Sequence, residues 1–454
     1  MSNLVEEEWC SLSSLHHKLA TQPVIKSFFQ YFLPTLFGMM LMSVNIVIDG
    51  IFVGNGIGAV ALASVNIAVP VFSIIISIAL LIGVGGGTLY SIAIGEGKYA
   101  QAKSIFTSAI VFVTVMTAVV SGLSYFNMEA IAYLFGANDE TMSYVLDYMG
   151  ILLLFSFIIT WETALSIFVR NDGGPRLAMM ALIVSALFNV GLNYWMIFIL
   201  KMEVKGAAFA TVIATAIGLI VLMMQFFRKG SCLRFVRMSW NRSLLAKISV
   251  IGFPSFLSEV GVGVFVIGYN LAMSYYVGTN GLAAFSVINY LHTFMFLAFI
   301  GIGSSVQPLI SYYYGAKKEQ MIQETIKVAE MTAVLLGLFF FIIGWLGADY
   351  LVKVFGVSSD DITRLATSGI KLFFIGYLFM GVNFVYMTYY QAIGQARPSI
   401  IITICRGFVI LIAMLFALPY FFDVYGIWLA LPITEAFVAI GLFVFVRPYI
   451  FREV

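Results

Sequence analysis

The chain has 454 residues, of which 61% are hydrophobic and only 10% charged, with a formal net charge of +2. Soluble domains carry about 25% charged residues, so a soluble fold is excluded, and no basic tract is dense enough to bind nucleic acid. Apolar runs of about twenty residues or more recur from end to end, which predicts a polytopic helical membrane protein rather than a barrel of short alternating strands.

In chain order, residues 1–27 hold Glu6, Glu7, Glu8 and the cluster His16-His17-Lys18 but no apolar segment of the signal-peptide kind, and read as a cytoplasmic N-terminal segment. Twelve transmembrane helices are expected near 28–53, 60–94, 103–127, 141–169, 177–200, 206–227, 250–277, 282–314, 325–347, 366–390, 398–420 and 426–447. The second and eighth exceed a simple span, with Pro70 and Pro308 as candidate kink points. Cys10, Cys232 and Cys405 are scattered without metal-ligand spacing, which argues against a zinc site or a disulfide framework.

Lys and Arg set the orientation. With the N-terminus cytoplasmic, residues such as Lys98, Arg176, Arg228, Lys229, Lys317, Lys318 and Arg397 fall inside, whereas only Lys201, Lys205, Lys353, Arg364 and Lys371 fall outside. This positive-inside bias puts both termini in the cytoplasm of a cell inner (cytoplasmic) membrane protein.

The basic connection from Arg228 to Lys247 divides the helices into two sets of six that resemble each other. Pro34 matches Pro254, Val53-Gly54 matches Val277-Gly278, and Gly83 and Gly85 match Gly301 and Gly303. Gly97 matches Gly315, Phe135-Gly136 matches Phe355-Gly356, and Gly173 and Arg176 match Gly394 and Arg397. The expected organisation is therefore an N-lobe at 28–227, a cytoplasmic linker at 228–249, a C-lobe at 250–447 and a tail at 448–454. Six is an even number, so the pseudo-two-fold axis relating the lobes runs along the membrane normal, as in alternating-access transporters.

Within the spans, acids stand out. Asp49 lies in PTLFGMMLMSVNIVIDGIFVGNG, near the end of the first helix. An ionised Asp at a bilayer centre costs roughly 2.5–3.5 kcal/mol on insertion scales, so such a residue faces protein or water, and its usual task is to handle charge. Asp49 is expected to trade a proton or Na⁺ against a transported solute. Asn189 and Asn193 share one helix face, and their carbonyl oxygens would help Asp49 hold Na⁺ if they reach it. Glu162, two turns before Arg170, is expected to share the ion of Asp49 or to serve as a structural partner of Arg170. Glu259, five residues past Pro254, and Glu435, beside the Pro432 kink, are the second half's acids and are expected to take part in ion coupling. Arg406 reads as a snorkelling residue, and His292 as a hydrogen-bonding group between helices.

The stretches DGIFVGNGIGAVALASVNIAVP, RNDGGPRLAM at 170–179, QAIGQARPSI at 391–400 and the pair IAIGEGKYAQA and ISYYYGAKKEQ resemble the multidrug and toxic compound extrusion family over essentially the whole chain. The resemblance implies an inner-membrane antiporter exporting organic cations in exchange for H⁺ or Na⁺, with an ion- or substrate-binding role for Glu259. The chain departs from the family at Asn193, where many members carry Asp, and in FMGVNFVYM, which has no acid.

A flat cationic substrate calls for aromatic and thioether contacts, for which Tyr269, Met273, Phe285, Tyr290 and Met295 are candidates. No cofactor is expected beyond the coupling ion, and the chain is expected to be monomeric. Gly83 to Gly87 lacks the Lys-Ser/Thr of a phosphate loop, and no HExxH or GxSxG occurs, so an enzyme is not expected. A lipid or lipid-linked oligosaccharide flippase shares the general architecture and is the alternative. It calls for a cationic cleft, whereas the charges within these spans are mostly acidic.

Overall fold

The computed structural model describes residues 21–237, 241–355 and 359–451. The acidic and histidine clusters of the N-terminal segment, Cys10, Gly356 and Arg452 lie outside the described residues. Helices run α1 (Val24–Gly56), α2 (Ala59–Gly95), α3 (Tyr99–Phe126), α4 (Met142–Leu154 with Ser156–Asn171), α5 (Pro175–Ile199) and α6 (Glu203–Phe227). The second set is α7 (Arg242–Tyr276), α8 (Thr279–Gly315), α9 (Glu319–Val354), α10 (Asp360–Ala392) and the run Ala396–Ile450, which divides into α11 (396–422) and α12 (424–450).

The division of that run follows from its length. Its 55 residues would reach about 80 Å as one helix, more than twice the hydrocarbon thickness of a bilayer. The break falls at Asp423, where φ is 48° and ψ −134°. In α4 the bend of 54° falls between Leu154 and Ser156, and one short helix not expected from the sequence, Met128–Leu134, precedes it. The 37-residue helices α2 and α8 carry Pro70 and Pro308 internally without interruption. The protein is thus an all-α membrane protein of twelve spans in two six-helix lobes.

Each lobe has its own core. Ile82, Tyr90, Phe106, Phe168 and Leu222 anchor the first, and Tyr269, Phe299, Phe373, Tyr377 and Trp428 the second. The first turns of the two leading helices cross over: Phe28, Tyr31 and Phe32 of α1 enter the second core, and Ile248 of α7 enters the first. Cys405 is a free thiol.

The repeat is visible in the hydrogen bonds of the turns. After α1, the N–H groups of Ile57 and Gly58 both donate to the Val53 carbonyl; after α7, those of Val277 and Gly278 both donate to Met273. Lys98 donates to Ala93 as Lys318 donates to Tyr313, and Gly174 to Val169 as Gln395 to Tyr390. The left-handed positions are Gly58 and Gly278, Gly97 and Lys317, and Gly173 and Gly394. This register corrects two of the sequence matches. Gly278 corresponds to Gly58, not Gly54, and Gly97 corresponds to Lys317, not Gly315, because the backbone conformation repeats where residue identity does not.

Gly315 instead corresponds to Gly95, and the two meet across the seam between lobes. A Cβ on Gly95 would lie 2.9 Å from the Ala316 nitrogen, and one on Gly315 would lie 2.9 Å from the Ile92 carbonyl carbon. Likewise a Cβ on Gly85 would lie 2.8 Å from the Ile248 carbonyl carbon, and one on Gly252 would lie 3.0 Å from Leu81 Cα. Backbone presses on backbone here, the packing that small residues allow within membranes. These contacts lie in the half of the helices next to the basic loops. Gly252→Val is therefore expected to prise the seam open, read as faster labelling of a Ser304→Cys reporter in the central cavity by an impermeant thiol reagent applied from the basic-loop side. Labelling at the parental rate would contradict this packing.

Candidate functional site

Two polar sites are built into this frame. The first surrounds Asp49, about 10 Å from the end of α1 by helix rise. Asn193 Nδ2 donates to Asp49 Oδ1 (2.8 Å) and to Asn189 Oδ1 (3.0 Å). Asn45 Nδ2 donates to Asn189 Oδ1 (3.1 Å) and, more weakly, to Asp49 Oδ2 (3.5 Å). Asn189 Nδ2 in turn approaches Thr211 Oγ1 on α6 (3.4 Å). Asn189 and Asn193 are 4% and 1% exposed and Asp49 is half-buried.

The two amide groups that donate toward Asp49 are oriented by the chemistry of their partners. Each NH₂ group sits between two oxygens, which only accept while Asp49 is ionised, and this orients nitrogen toward Asp49. As a result the Oδ1 atoms of Asn45 and Asn193 are buried without hydrogen-bond partners. A carboxylate and orphan amide oxygens gathered in one place form a hard-oxygen donor set suited to a proton or an alkali cation. Thr211 and Asn45 complete the site; Asn45, like Asn189 and Asn193, reads from the sequence as interhelical glue or as a functional polar group, and Thr211 carries no signal beyond its place in an apolar helix.

The repeat register places Tyr269 where Asp49 stands in the first lobe, and Tyr269 has a different task. Its ring stacks on Phe285 (5.0 Å, 6° interplanar) and its hydroxyl accepts from the Leu431 N–H (3.0 Å). Met273, Phe285 and Met295 are likewise core residues. Tyr290 is 51% exposed and stacks on Phe355. The aromatic and thioether candidates expected from the sequence are thus mostly buried core residues. His292 lies against Phe265 (4.7 Å) and Phe373 (5.3 Å), and its Nδ1 pairs with Tyr377 Oη (3.0 Å).

The second site is a cavity of about 120 Å³ between the lobes. Phe296, Ile300, Phe384 and Met387 form its apolar wall, and Arg170, Asn171, Glu259, Gln307 and Gln391 its polar one. Its floor is a reciprocal amide pair across the seam: Asn171 Nδ2 donates to Gln307 Oε1 (3.0 Å) and Gln307 Nε2 donates to Asn171 Oδ1 (3.1 Å). Ser91 Oγ also donates to Asn171 Oδ1 (2.6 Å). Gln391 Nε2 donates to Ser255 Oγ (2.9 Å) and the Ile251 carbonyl (2.8 Å), holding the α7 wall that carries Glu259. Asn171 and Gln391 lie in the motifs RNDGGPRLAM and QAIGQARPSI, which is the signal that marks them; Gln307, next to Pro308, lies in neither.

Three acids separate from the Asp49 site. Glu162 faces Arg170 electrostatically and is absent from the Asp49 network; its Oε1 is buried without a hydrogen bond. Glu259 lies in the central cavity. Glu435 is not a free carboxylate, contrary to the ion-coupling role expected of it. Its Oε1 accepts from Arg406 Nη2 (2.7 Å) and Nε (3.2 Å), and its Oε2 accepts from Asn383 Nδ2 (2.6 Å). Arg406 accordingly does not snorkel: it is 8% exposed and its guanidinium lies 4.1 Å over the Phe384 ring.

Another buried acid escaped the sequence reading. Asp172, at the α4–α5 junction, accepts from Tyr90 Oη (2.7 Å), Gln225 Nε2 (2.8 Å), Ser231 Oγ (2.6 Å) and the Cys232 N–H (3.0 Å). It ties the start of the connection between lobes to the core of the first.

The family model described as MatE matches residues 34–195 and again 254–417, two copies whose starts are one repeat apart. The chain belongs to the multidrug and toxic compound extrusion (MATE) family. Similar MATE relatives include the multidrug export protein MepA of Staphylococcus saprophyticus, 27% identical over 434 residues, 95% of this chain and 94% of the relative. MepA of Staphylococcus haemolyticus is 28% identical over 91% of each chain. Among solved structures, a MATE protein in complex with MaL6 superposes with a TM-score of 0.91 at 21% identity, covering 96% of this chain and 98% of the other. The outward-facing conformation of a multidrug resistance MATE transporter superposes at 0.90 with 22% identity, over 95% and 97%. At these identities the superpositions speak for the shared fold.

Proposed function

We propose that this MATE transporter is a multidrug efflux antiporter of the cytoplasmic membrane, exporting organic cations in exchange for H⁺ or Na⁺, with both termini cytoplasmic. The observation that carries the reading is the carboxylate of Asp49 beside the unpartnered oxygens of Asn45 and Asn193, within an otherwise apolar helix packing. Export of multiple drugs is taken from the names of the MepA relatives. The central cavity, with Glu259 beside Phe296 and Met387, offers an organic cation a carboxylate and apolar contact.

Coupling works by differential affinity. An ion that binds the Asp49 site better in one conformation than in the other shifts the population by that difference and no more. The glycine and amide contacts close the seam on the basic-loop side, which is the cytoplasmic side in this orientation, so the conformation described is closed toward the cytoplasm. Na⁺ and H⁺ are cargo here, and no other cofactor is required.

The test is transport into vesicles holding the purified protein, with a fluorescent monocation and an imposed pH or Na⁺ gradient. Accumulation is expected with one of the two gradients and not in its absence. Equal uptake with and without both would refute ion coupling. A flippase would instead move labelled lipid without moving the dye.

A further inference from the structure

We propose that Arg170 is a specificity-determining residue of the central cavity, and that the cavity is built for substrates carrying an anionic group as well as a cationic one. The inference rests on reading that cavity as the substrate site.

The argument begins with where the charges sit. Arg170 belongs to α4 of the first lobe and Glu259 to α7 of the second, and both line the same cavity. Among the described residues no ion pair joins them, and no hydrogen bond or ion pair holds Glu259. Arg170 is 8% exposed, and its Nη2 donates to Ser166 Oγ (3.0 Å). That bond uses one of the five N–H donors of a guanidinium. Glu162, on the same helix, influences Arg170 without coming within ion-pair distance.

An arginine and a carboxylate facing one cavity within a membrane, yet not bonded to each other, are expensive to hold ready. They are complementary to a ligand whose own charges are separated. A substrate ammonium would sit against Glu259 and a substrate carboxylate against the Arg170 fork, with its rings against the apolar wall that Phe296 and Phe384 form edge to face (5.5 Å). Arginine rather than lysine suits this task, since its planar donors match a carboxylate in two places at once. The repeat supports the assignment: Gln391 occupies the position equivalent to Arg170 in the second lobe and spends its amide on Ile251 and Ser255. A structural duty at this site is thus met by a neutral amide in one lobe, whereas the first lobe carries a charge.

The test compares two xanthene dyes of identical ring system, one a carboxylic acid (a zwitterion at neutral pH) and the other its ethyl ester (a monocation). Binding is followed by fluorescence polarisation on the full-length protein in nanodiscs. The parent protein is expected to bind the acid at least as tightly as the ester. Arg170→Gln is expected to weaken the acid at least tenfold more than the ester, and Arg170→Lys to fall between. Equal weakening of both dyes by Arg170→Gln would overturn the proposal. So would a parent protein that binds the ester far more tightly than the acid, a result that needs no variant to fold. Failure of the transport reading is separable: the predicted binding ratio with no gradient-driven movement of the ester would reject antiport and leave the role of Arg170 standing.

Discussion

Asp49→Asn is expected to reduce ion-driven efflux at least tenfold, to the level of vesicles without protein, while expression and melting temperature change little. The substitution keeps shape and one acceptor oxygen, so Asn193 Nδ2, now 2.8 Å from Asp49 Oδ1, retains a partner. What it removes is charge. A neutral amide neither binds a proton in this range nor contributes a full charge to an alkali cation, so the ion no longer distinguishes the two conformations. Binding of the substrate in the central cavity, which Asp49 does not line, is expected to persist. The measurement is gradient-driven dye accumulation alongside equilibrium dye binding. Undiminished efflux by the variant would remove Asp49 from the coupling mechanism.

The second large effect is expected at the buried pair of the C-lobe. Arg406 and Glu435 are 8% and 2% exposed and joined at 2.7 Å. Truncating either one alone, Arg406→Ala or Glu435→Ala, leaves a charge without a counterion, which typically costs about 3–5 kcal/mol. The loss should exceed that of most single substitutions and appear as a clear fall in melting temperature in detergent. Replacing both by apolar residues, Arg406→Met with Glu435→Leu, is expected to recover much of it, because desolvation of two charges is removed with their attraction. If each single variant melts like the parent, the pair carries no such weight. Arg406→Ala should also loosen Phe384, whose ring it covers at 4.1 Å, and so weaken dye binding in the cavity.

Much of this was legible in the sequence, for identifiable reasons. An acid within an apolar run stands out, which marks Asp49, and two asparagines four apart share a helix face, which is why the contact of Asn193 with both Asp49 and Asn189 is legible. The two-lobe plan followed from glycines that recur at nearly constant spacing. Its register slipped by a few residues at Gly54 and Gly97 because matching was by residue identity. Lys317 adopts the left-handed conformation of Gly97, and no residue type announces that.

Most of what the sequence hides has one cause, partners far apart along the chain; helix phase is the other. Nothing links Arg406 to Glu435 until α11 and α12 fold against each other. Arg170 reads as one more cytoplasmic-side cation, yet it is buried in the central cavity. Tyr269, Met273 and Phe285 have the composition of a ligand surface and of a core alike, and helix phase decides for the core. Asp172 sits in a recognisable motif, but the donors that surround it come from α2, α6 and the connection between lobes.

One consequence follows from the reciprocal pair of Asn171 and Gln307. Carboxamides neither gain nor lose protons across the physiological range, and counterions hardly screen them. A clasp of this kind holds with the same strength in acid, alkali, brine or dilute buffer. On the proposed antiport mechanism this clasp is indifferent to the gradients that power the cycle, and sensing is delegated to the separate Asp49 site of the first lobe. Engineering the clasp should retune how long the gate stays shut without altering which ion drives it.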